Sequence, residues 1–86
     1  MGSYRLALKQ SAAKELESLP HRDLVRIVGR VQALSDNPRP SGCEKLSGQE
    51  RYYRVRQGDY RILYDVDDDS QVVTVVKIGH RRDVYR

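Results

Sequence analysis

Apolar and polar side chains alternate through much of the second half of the chain, and this period of two constrains the fold more than any other feature. Tyr53 and Val55 alternate with charged residues before the pair Gly58-Asp59, and Ile62 and Tyr64 continue the alternation after it. Such alternation is typical of half-buried strands, and glycine at the first central position favours a two-residue type II′ hairpin turn. A third run of mostly β-branched residues follows a polar turn. The pattern predicts a three-stranded antiparallel meander, with strands near 52–57, 60–66 and 72–78.

The first forty residues follow different periods. Alternation over 4–9 predicts a short strand, and Ser11 offers a hydroxyl N-cap for a helix that Pro20 ends. A second helix is predicted from about His21, because its apolar residues recur at i, i+3, i+4 and i+7: Leu24, Ile27, Val28, Val31 and Leu34. Two prolines after Asp36 prevent its continuation. We expect one α+β domain spanning 1–86: an N-terminal strand, a two-helix hairpin and the meander, with both helices on one sheet face.

Composition excludes several classes of protein. Among 86 residues there is one cysteine, Cys43, so no internal disulfide can form, and no Cys/His spacing suits zinc. We expect no metal, no cofactor, no signal peptide and no membrane span, which is typical of a cytoplasmic protein. Sixteen Lys and Arg against twelve Asp and Glu give a net charge of +4. This surplus suggests a polyanionic or acidic partner.

The predicted register concentrates positive charge on the sheet face away from the helices. If Gly58-Asp59 is the turn, Arg56 lies opposite Arg61, and a following hairpin that pairs Val66 with Val72 puts Lys77 opposite Arg61. Arg54 lies beside this row, and no carboxylate obviously neutralises it. A solvated basic face is the plain alternative. Convergent guanidinium groups, however, are what a phosphate-binding groove requires.

The C-terminal tail adds more groups at the same end of the sheet. It supplies the imidazole of His80, the phenol of Tyr85 and three further guanidinium groups, those of Arg81, Arg82 and Arg86. RNA can be cut by attack of its 2′-hydroxyl on the adjacent phosphorus, which needs cations for the developing charge and groups that transfer protons. An unperturbed histidine titrates near neutrality, so His80 is the natural proton-transfer candidate.

The segments YRVRQGDYRILY at 53–64 and VKIGHRRDVY at 76–85 resemble the RelE branch of the RelE/ParE toxin superfamily. The helical hairpin and the Pro-rich loop before Leu46 also match, so the resemblance covers nearly the whole chain. It implies a type II toxin that acts as an endoribonuclease and cleaves mRNA in the ribosomal A site. It also implies a RelB-like antitoxin as partner, with operator DNA contacted indirectly through the complex.

The resemblance implies roles for particular residues. Arg61 and Arg81 fall on phosphate-stabilising arginines, and Tyr85 on a tyrosine that stacks on or orients the base. Arg54 and Arg56 fall on positions that are lysines in well-known RelE toxins. Because arginine deprotonates far less readily than lysine, we expect these two to act electrostatically and proton transfer to depend on His80. The remaining basic candidates for RNA binding are Lys45, Arg51, Lys77, Arg82 and Arg86.

Two other functions are compatible with the same pattern. A ParE-like toxin would bind DNA gyrase without catalysing a reaction, although ParE-type chains tend to lack the combination of Arg61, Arg81 and a terminal tyrosine. A non-enzymatic module could use the basic face to bind RNA or an acidic protein. Cleavage on programmed ribosomes and supercoiling by gyrase distinguish the three.

Overall fold

Two helices cover one face of a five-stranded sheet in the computed structural model, which describes residues 3–46, 48 and 51–80. The elements in chain order are β1 (Arg5–Leu8), α1 (Gln10–Glu17), α2 (His21–Asp36), β2 (Glu44–Lys45), β3 (Tyr52–Gln57), β4 (Tyr60–Asp67) and β5 (Val72–His80). The sheet order is β1-β5-β4-β3-β2, in which β1 runs parallel to β5 and the other neighbours are antiparallel. The predicted α+β class, with its helical hairpin and meander, is confirmed.

Two local features differ from the sequence-based prediction. The loop expected around residue 44 contains β2, a two-residue strand that is too short to show alternation in a sequence. Ser11 is not the N-cap of α1: it lies inside the helix, and Lys9 occupies the N-cap position without a side-chain hydrogen bond. The predicted extent of α2 is correct, since the helix begins at His21 and ends at Asp36, before Pro38.

The core lies between α2 and the sheet. Ile27 and Leu34 of α2 are fully buried against the inner faces of β3, β4 and β5, together with Ala12, Val55, Ile62, Tyr64, Val66, Val73, Val75 and Ile78. Tyr64 provides aromatic bulk in a chain without Phe or Trp, and its hydroxyl donates a 2.7 Å hydrogen bond to the Pro38 carbonyl. Burial raises the pKa of this phenol well above its usual range. A buried tyrosine is tolerated here because its polar atom is hydrogen-bonded.

The β3–β4 hairpin has the predicted register. Arg56 pairs with Arg61 and Val55 pairs with Ile62 across the turn at Gly58 and Asp59. Gly58 has a φ of +60°, while Asp59 is not in the positive region, as a type II′ turn requires. Every side chain of these two strands therefore lies on the face that the alternation predicts.

The β4–β5 pairing differs from the prediction. Val66 pairs with Val73 rather than Val72, and Arg61 pairs with Gly79 rather than Lys77. The pairing is displaced by one residue at Val66, and a register shift between Leu63 and Tyr64 adds a second residue to the offset. Such bulges insert an extra residue into one strand and are difficult to recognise from alternation alone. The predicted placement of Lys77 opposite Arg61 is therefore wrong.

A glutamate on α1 caps the exposed edge of β5. β1 pairs with β5 only as far as Val75, so Ile78 lies beyond the end of its neighbour. Glu15 accepts a 3.0 Å hydrogen bond from the backbone N–H of Ile78 through Oε1 and forms a 3.0 Å ion pair with Nζ of Lys77 through Oε2. This carboxylate replaces the missing strand partner and holds α1 against the sheet.

Glu15→Ala should lower the free energy of unfolding by about 1–2 kcal/mol, because it removes a charge-assisted hydrogen bond from a part-buried backbone donor. Glu17→Ala, at an exposed position of the same helix, is the matched control and should change stability by less than about 0.5 kcal/mol. Urea unfolding followed by circular dichroism measures both. Equal effects of the two substitutions would show that Glu15 does not hold β5.

Neither α1 nor α2, the helices of the described residues, has the length and apolar content that crossing a bilayer takes.

Candidate functional site

Three arginines lie together on the sheet face away from the helices. Arg54 and Arg56 alternate along β3 with Val55, whose side chain is buried in the core, so both arginines belong to the opposite face. Arg61 of β4 is directly opposite Arg56. We call Arg54, Arg56 and Arg61 the arginine cluster. The predicted apposition of Arg56 and Arg61 is confirmed, and it places two like charges at the separation of a cross-strand pair.

The members of the cluster differ in exposure. Arg61 is only 6% exposed, whereas the Arg54 side chain is 17% exposed and Arg56 is an exposed residue. Burial of an arginine is costly unless counter-charges or hydrogen bonds compensate it, so Arg61 is a position with a constrained environment. Arg56, in contrast, presents its guanidinium group to solvent. The cluster thus combines a positive charge held within the fold with one that a partner can reach.

An acidic residue that the sequence analysis missed lies beside the cluster. Glu44 pairs with Arg54 across β2 and β3, and its Oε1 accepts a 2.8 Å hydrogen bond from Nη2 of Arg54. This hydrogen bond and the charge of Arg54 lower the pKa of Glu44, and the charges of Arg56 and Arg61 lower it further. The expectation that no carboxylate neutralises the cationic row is therefore wrong. All three arginines nevertheless lie close enough to act on one carboxylate.

The structure places the other basic candidates elsewhere. Lys77 is ion-paired with Glu15 and lies opposite Leu63. Arg51 donates two hydrogen bonds to Asp65, at 2.9 and 2.8 Å, near the far end of β4. Lys45 is exposed on the edge strand β2, opposite Tyr53. None of these three joins the arginine cluster through a hydrogen bond or ion pair among the described residues.

His80 lies on the face that the helices cover. It pairs with Tyr60, and the two rings meet edge to face with centroids 5.8 Å apart and an interplanar angle of 77°. The two side chains line a cavity of about 240 Å³ beside α2, together with Asp23 and Ile27. Burial raises the pKa of Tyr60, and the neighbouring Asp23 raises it further. In this conformation the imidazole and the arginine cluster occupy opposite faces of the sheet.

The remaining predicted site residues, Arg81, Arg82, Tyr85 and Arg86, lie outside the described residues. Within the described ranges no group of three or more His, Cys, Asp or Glu side chains could hold a metal ion. The arginine cluster itself offers electrostatic chemistry. Guanidinium groups stabilise oxyanions and bind phosphate oxygens through paired N–H donors.

Comparison with known proteins agrees with this architecture. Residues 6–85 match the sequence model of the family described as ParE toxin of type II toxin-antitoxin system, parDE. The toxin RelE of Mycobacterium tuberculosis is 32% identical over 84 residues, covering 96% of this chain and 87% of the relative. The chain therefore belongs to the RelE/ParE superfamily of type II toxins, and it is RelE-like.

Solved structures give the same result. The archaeal RelE–RelB complex from Pyrococcus horikoshii contains a chain that is 30% identical and superposes with a TM-score of 0.83, covering 94% of this chain and 98% of that one. The isolated RelE toxin of Escherichia coli is 28% identical, with a TM-score of 0.81 and coverage of 96% and 92%.

Titration of Glu44 tests whether the three arginines converge. In the native protein the Glu44 carboxyl should titrate below the usual 4.5, because Arg54 holds it in its charged form. Arg54→Ala should return the pKa most of the way to 4.5, and Arg56→Ala should raise it by a smaller amount. Arg5→Ala, on the opposite edge strand, is the control and should leave it unchanged. Side-chain carboxyl NMR over pH 2–7 provides the measurement.

The same shift has a consequence for stability. Since the folded-state pKa of Glu44 is below its unfolded value, its stabilising contribution is present above about pH 4.5 and is lost as the pH falls through the lowered value. A Glu44 that titrates at 4.5 in the native protein would contradict the arrangement.

Proposed function

We propose that this protein is the toxin of a type II toxin–antitoxin system and an endoribonuclease that cleaves mRNA in the ribosomal A site. The arginine cluster is the observation that supports this most directly. A small sheet face that accumulates guanidinium groups at a cost in electrostatic repulsion is suited to a polyanion. Action on ribosome-bound mRNA would take place in the cytoplasm and would inhibit translation.

The proposed reaction is transesterification within the RNA strand. The 2′-oxygen attacks the adjacent phosphorus as its proton leaves to a base, and the P–O5′ bond breaks as the 5′-oxygen gains a proton. The products are a 2′,3′-cyclic phosphate and a 5′-hydroxyl end. Negative charge builds on the non-bridging oxygens between these events, and the cationic side chains of Arg56 and Arg61 stabilise it. Arg81 is proposed to join them from outside the described residues.

Proton transfer is assigned to His80, with Tyr85 orienting the base of the substrate. The imidazole lies against Tyr60 on the helix-covered face, so this role requires the backbone at His80, the last residue of β5, to turn the side chain towards the arginine cluster. Arg54 and Arg56 act electrostatically, because guanidinium groups do not deprotonate near neutral pH. Lys45, Arg51, Lys77, Arg82 and Arg86 are proposed to contact mRNA or ribosomal RNA.

The proposed cellular partner is a RelB-like antitoxin. The relative from Pyrococcus horikoshii was solved as a RelE–RelB complex, and the matching family is a toxin of type II toxin-antitoxin systems. We propose that the antitoxin supplies acidic or hydrogen-bonding groups to the arginine cluster and that operator DNA is contacted only through the complex.

A second candidate function follows from the family match. Since the matching sequence model is described as a ParE toxin, inhibition of DNA gyrase without catalysis is the alternative. The two functions require different properties of the arginine cluster. RNA cleavage requires its charges at the reacting phosphate, whereas gyrase inhibition requires only a binding surface.

Arg56→Ala should slow single-turnover cleavage of mRNA on programmed ribosomes by about 10²–10³-fold, because it removes a charge that stabilises the transition state. Arg56 is exposed, so the fold should persist. Arg22→Ala removes the same charge from an exposed position on α2 and should change the rate by less than about twofold. Mapping of 5′ ends on ribosome-bound mRNA gives the cleavage sites.

Native toxin that leaves programmed mRNA intact but blocks supercoiling by gyrase would establish the alternative function. Equal cleavage rates for the Arg56→Ala and Arg22→Ala variants would show that the charge of Arg56 does not stabilise the transition state.

His80→Ala should slow cleavage at neutral pH by roughly 10²–10⁴-fold if the imidazole transfers a proton. His80→Gln, which keeps a hydrogen-bonding side chain against Tyr60, separates this role from packing and should be equally slow. Single-turnover rates between pH 5 and 9 provide the readout, together with thermal unfolding of both variants. An unchanged rate accompanied by lower stability would show that the imidazole only packs against Tyr60.

A further inference from the structure

A second concave site adjoins the arginine cluster at the β2 edge of the sheet. A cavity of about 340 Å³ is lined by Arg54 and Arg56 of β3, by Gly42 and Glu44 of the preceding segment, and by Arg30 of α2. Arg30 comes from the helix layer, so the cavity connects the open face of the sheet to the helices around its edge. The helical residue is the unexpected member of this group.

The position of Arg30 follows from helix geometry. Arg22, Arg26 and Arg30 recur every four residues, and each step exceeds a full helical turn by about 40°. Over the two steps from Arg22 the direction therefore rotates by about 80°. Arg22 is exposed, whereas Arg30 is half-buried beside Ile27 and Leu34, which face the core. The three arginines therefore do not form one solvated stripe, because Arg30 lies nearer to the sheet than Arg22 does.

The guanidinium group of Arg30 has unused hydrogen-bonding capacity. Its Nε atom is buried and makes no hydrogen bond within the part of the chain that the structure describes. Its charge acts on the buried Tyr64, whose pKa it lowers against the larger opposing effect of burial. A buried donor without an acceptor is unfavourable, so this guanidinium group is not fully satisfied by the described residues.

The charge of the cavity favours an anion. Among the described residues that line the cavity there are three guanidinium groups and one carboxylate, and that carboxylate is hydrogen-bonded to Arg54. Neither Arg30 nor Arg56 forms an ion pair within residues 3–46, 48 and 51–80. The volume of about 340 Å³ accommodates a phosphate group with part of its sugar. The Glu44 carboxylate already binds the guanidinium group of Arg54. A bound phosphate must therefore displace this carboxylate or share Arg54 with it.

We propose that Arg30, Arg54 and Arg56 form an accessory phosphate subsite, which binds a non-scissile phosphate of the single-stranded RNA substrate. This assignment rests on the proposed function. An RNA strand whose scissile phosphate lies against Arg61 passes Arg56 and continues around the β2 edge into the cavity. Arg30 is then a binding residue, and it positions the strand without contacting the reacting atoms. Because Arg54 and Arg56 serve both sites, they fix the spacing between the two phosphates.

The test compares Arg30→Gln with Arg22→Gln in binding to a short, fluorescently labelled single-stranded RNA with 2′-O-methyl groups, which cannot be cut by its own hydroxyls. Fluorescence anisotropy between 50 and 300 mM KCl gives the dependence of log K on log salt. One lost phosphate contact should reduce the magnitude of this slope by about 0.7. Arg22→Gln removes the same charge and should leave the slope unchanged. Arg30→Lys should restore the slope, although with weaker binding, because it keeps the charge without the planar fork.

Several outcomes overturn the assignment. Equal slopes for the Arg30→Gln and Arg22→Gln variants would exclude Arg30 from RNA binding, as would a native toxin that does not bind the RNA at all. Weaker antitoxin binding by Arg30→Gln with unchanged RNA binding would show that the cavity takes an acidic side chain of a protein instead. Thermal unfolding verifies that the variants are folded, and Arg30→Lys serves if Arg30→Gln is not.

If the proposed function were wrong, the two assays would give a different combination of results. In that case programmed ribosomes would retain intact mRNA with native toxin, while the slope difference between the Arg30 and Arg22 variants persisted. If both hold, Arg30→Gln should raise KM on ribosomes several-fold with kcat nearly unchanged, which is the behaviour of a residue that binds ground state and transition state equally.

Discussion

The pairing of β3 with β4 across the Gly58–Asp59 turn is the constraint on which the rest of this structure depends. It places Val55 and Ile62 together under the helices and, by the same alternation, places Arg56 against Arg61 on the other face. Two like charges at a cross-strand position cost up to about 1 kcal/mol. A register slip of one residue would relieve that repulsion but would expose the whole apolar set to water, which is far more costly. The core thereby maintains an electrostatic arrangement that the arginines alone would not adopt.

Arginines lie near both ends of the sheet, and their contacts with acidic residues differ between the two ends. At the end near the β4–β5 turn, positive charges are matched closely by acidic residues. Arg39 binds Asp68 at 2.7 Å and lies 5.1 Å from the ring centroid of Tyr53, while Arg51 is held by Asp65. The hydrogen bonds from Arg39 and Tyr4 lower the pKa of Asp68. At the other end, the charges of Arg54, Arg56 and Arg61 all lower the pKa of the exposed Glu44 carboxyl. The arginines near the β4–β5 turn are thus each bound by a carboxylate, whereas those of the cluster act together on Glu44.

Much of the fold could be predicted because its signals are local. The helical period identified α2 with both of its ends, and alternation together with a glycine turn gave the β3–β4 register residue by residue. Prediction failed where one inserted residue, or a contact between separate segments of the chain, determined the geometry. The extra residue near Leu63 moved Lys77 away from Arg61, and the two-residue β2 placed Glu44 beside Arg54. The four-residue spacing of Arg22, Arg26 and Arg30 suggests one solvated stripe only if the 40° rotation at each step is neglected.

Sequence alone determined the class of the protein, the alternation that separates core from cation-bearing face, and the arginines that meet across the first hairpin. These depend on neighbours within a few positions, where the periods of strand and helix decide geometry. Only the tertiary structure decided which carboxylate faces the cluster, that His80 lies beside Tyr60, and that a helix contributes Arg30 to the sheet edge. Those contacts join elements from separate parts of the chain. They depend on strand offsets and on helix rotation, and no local period specifies either.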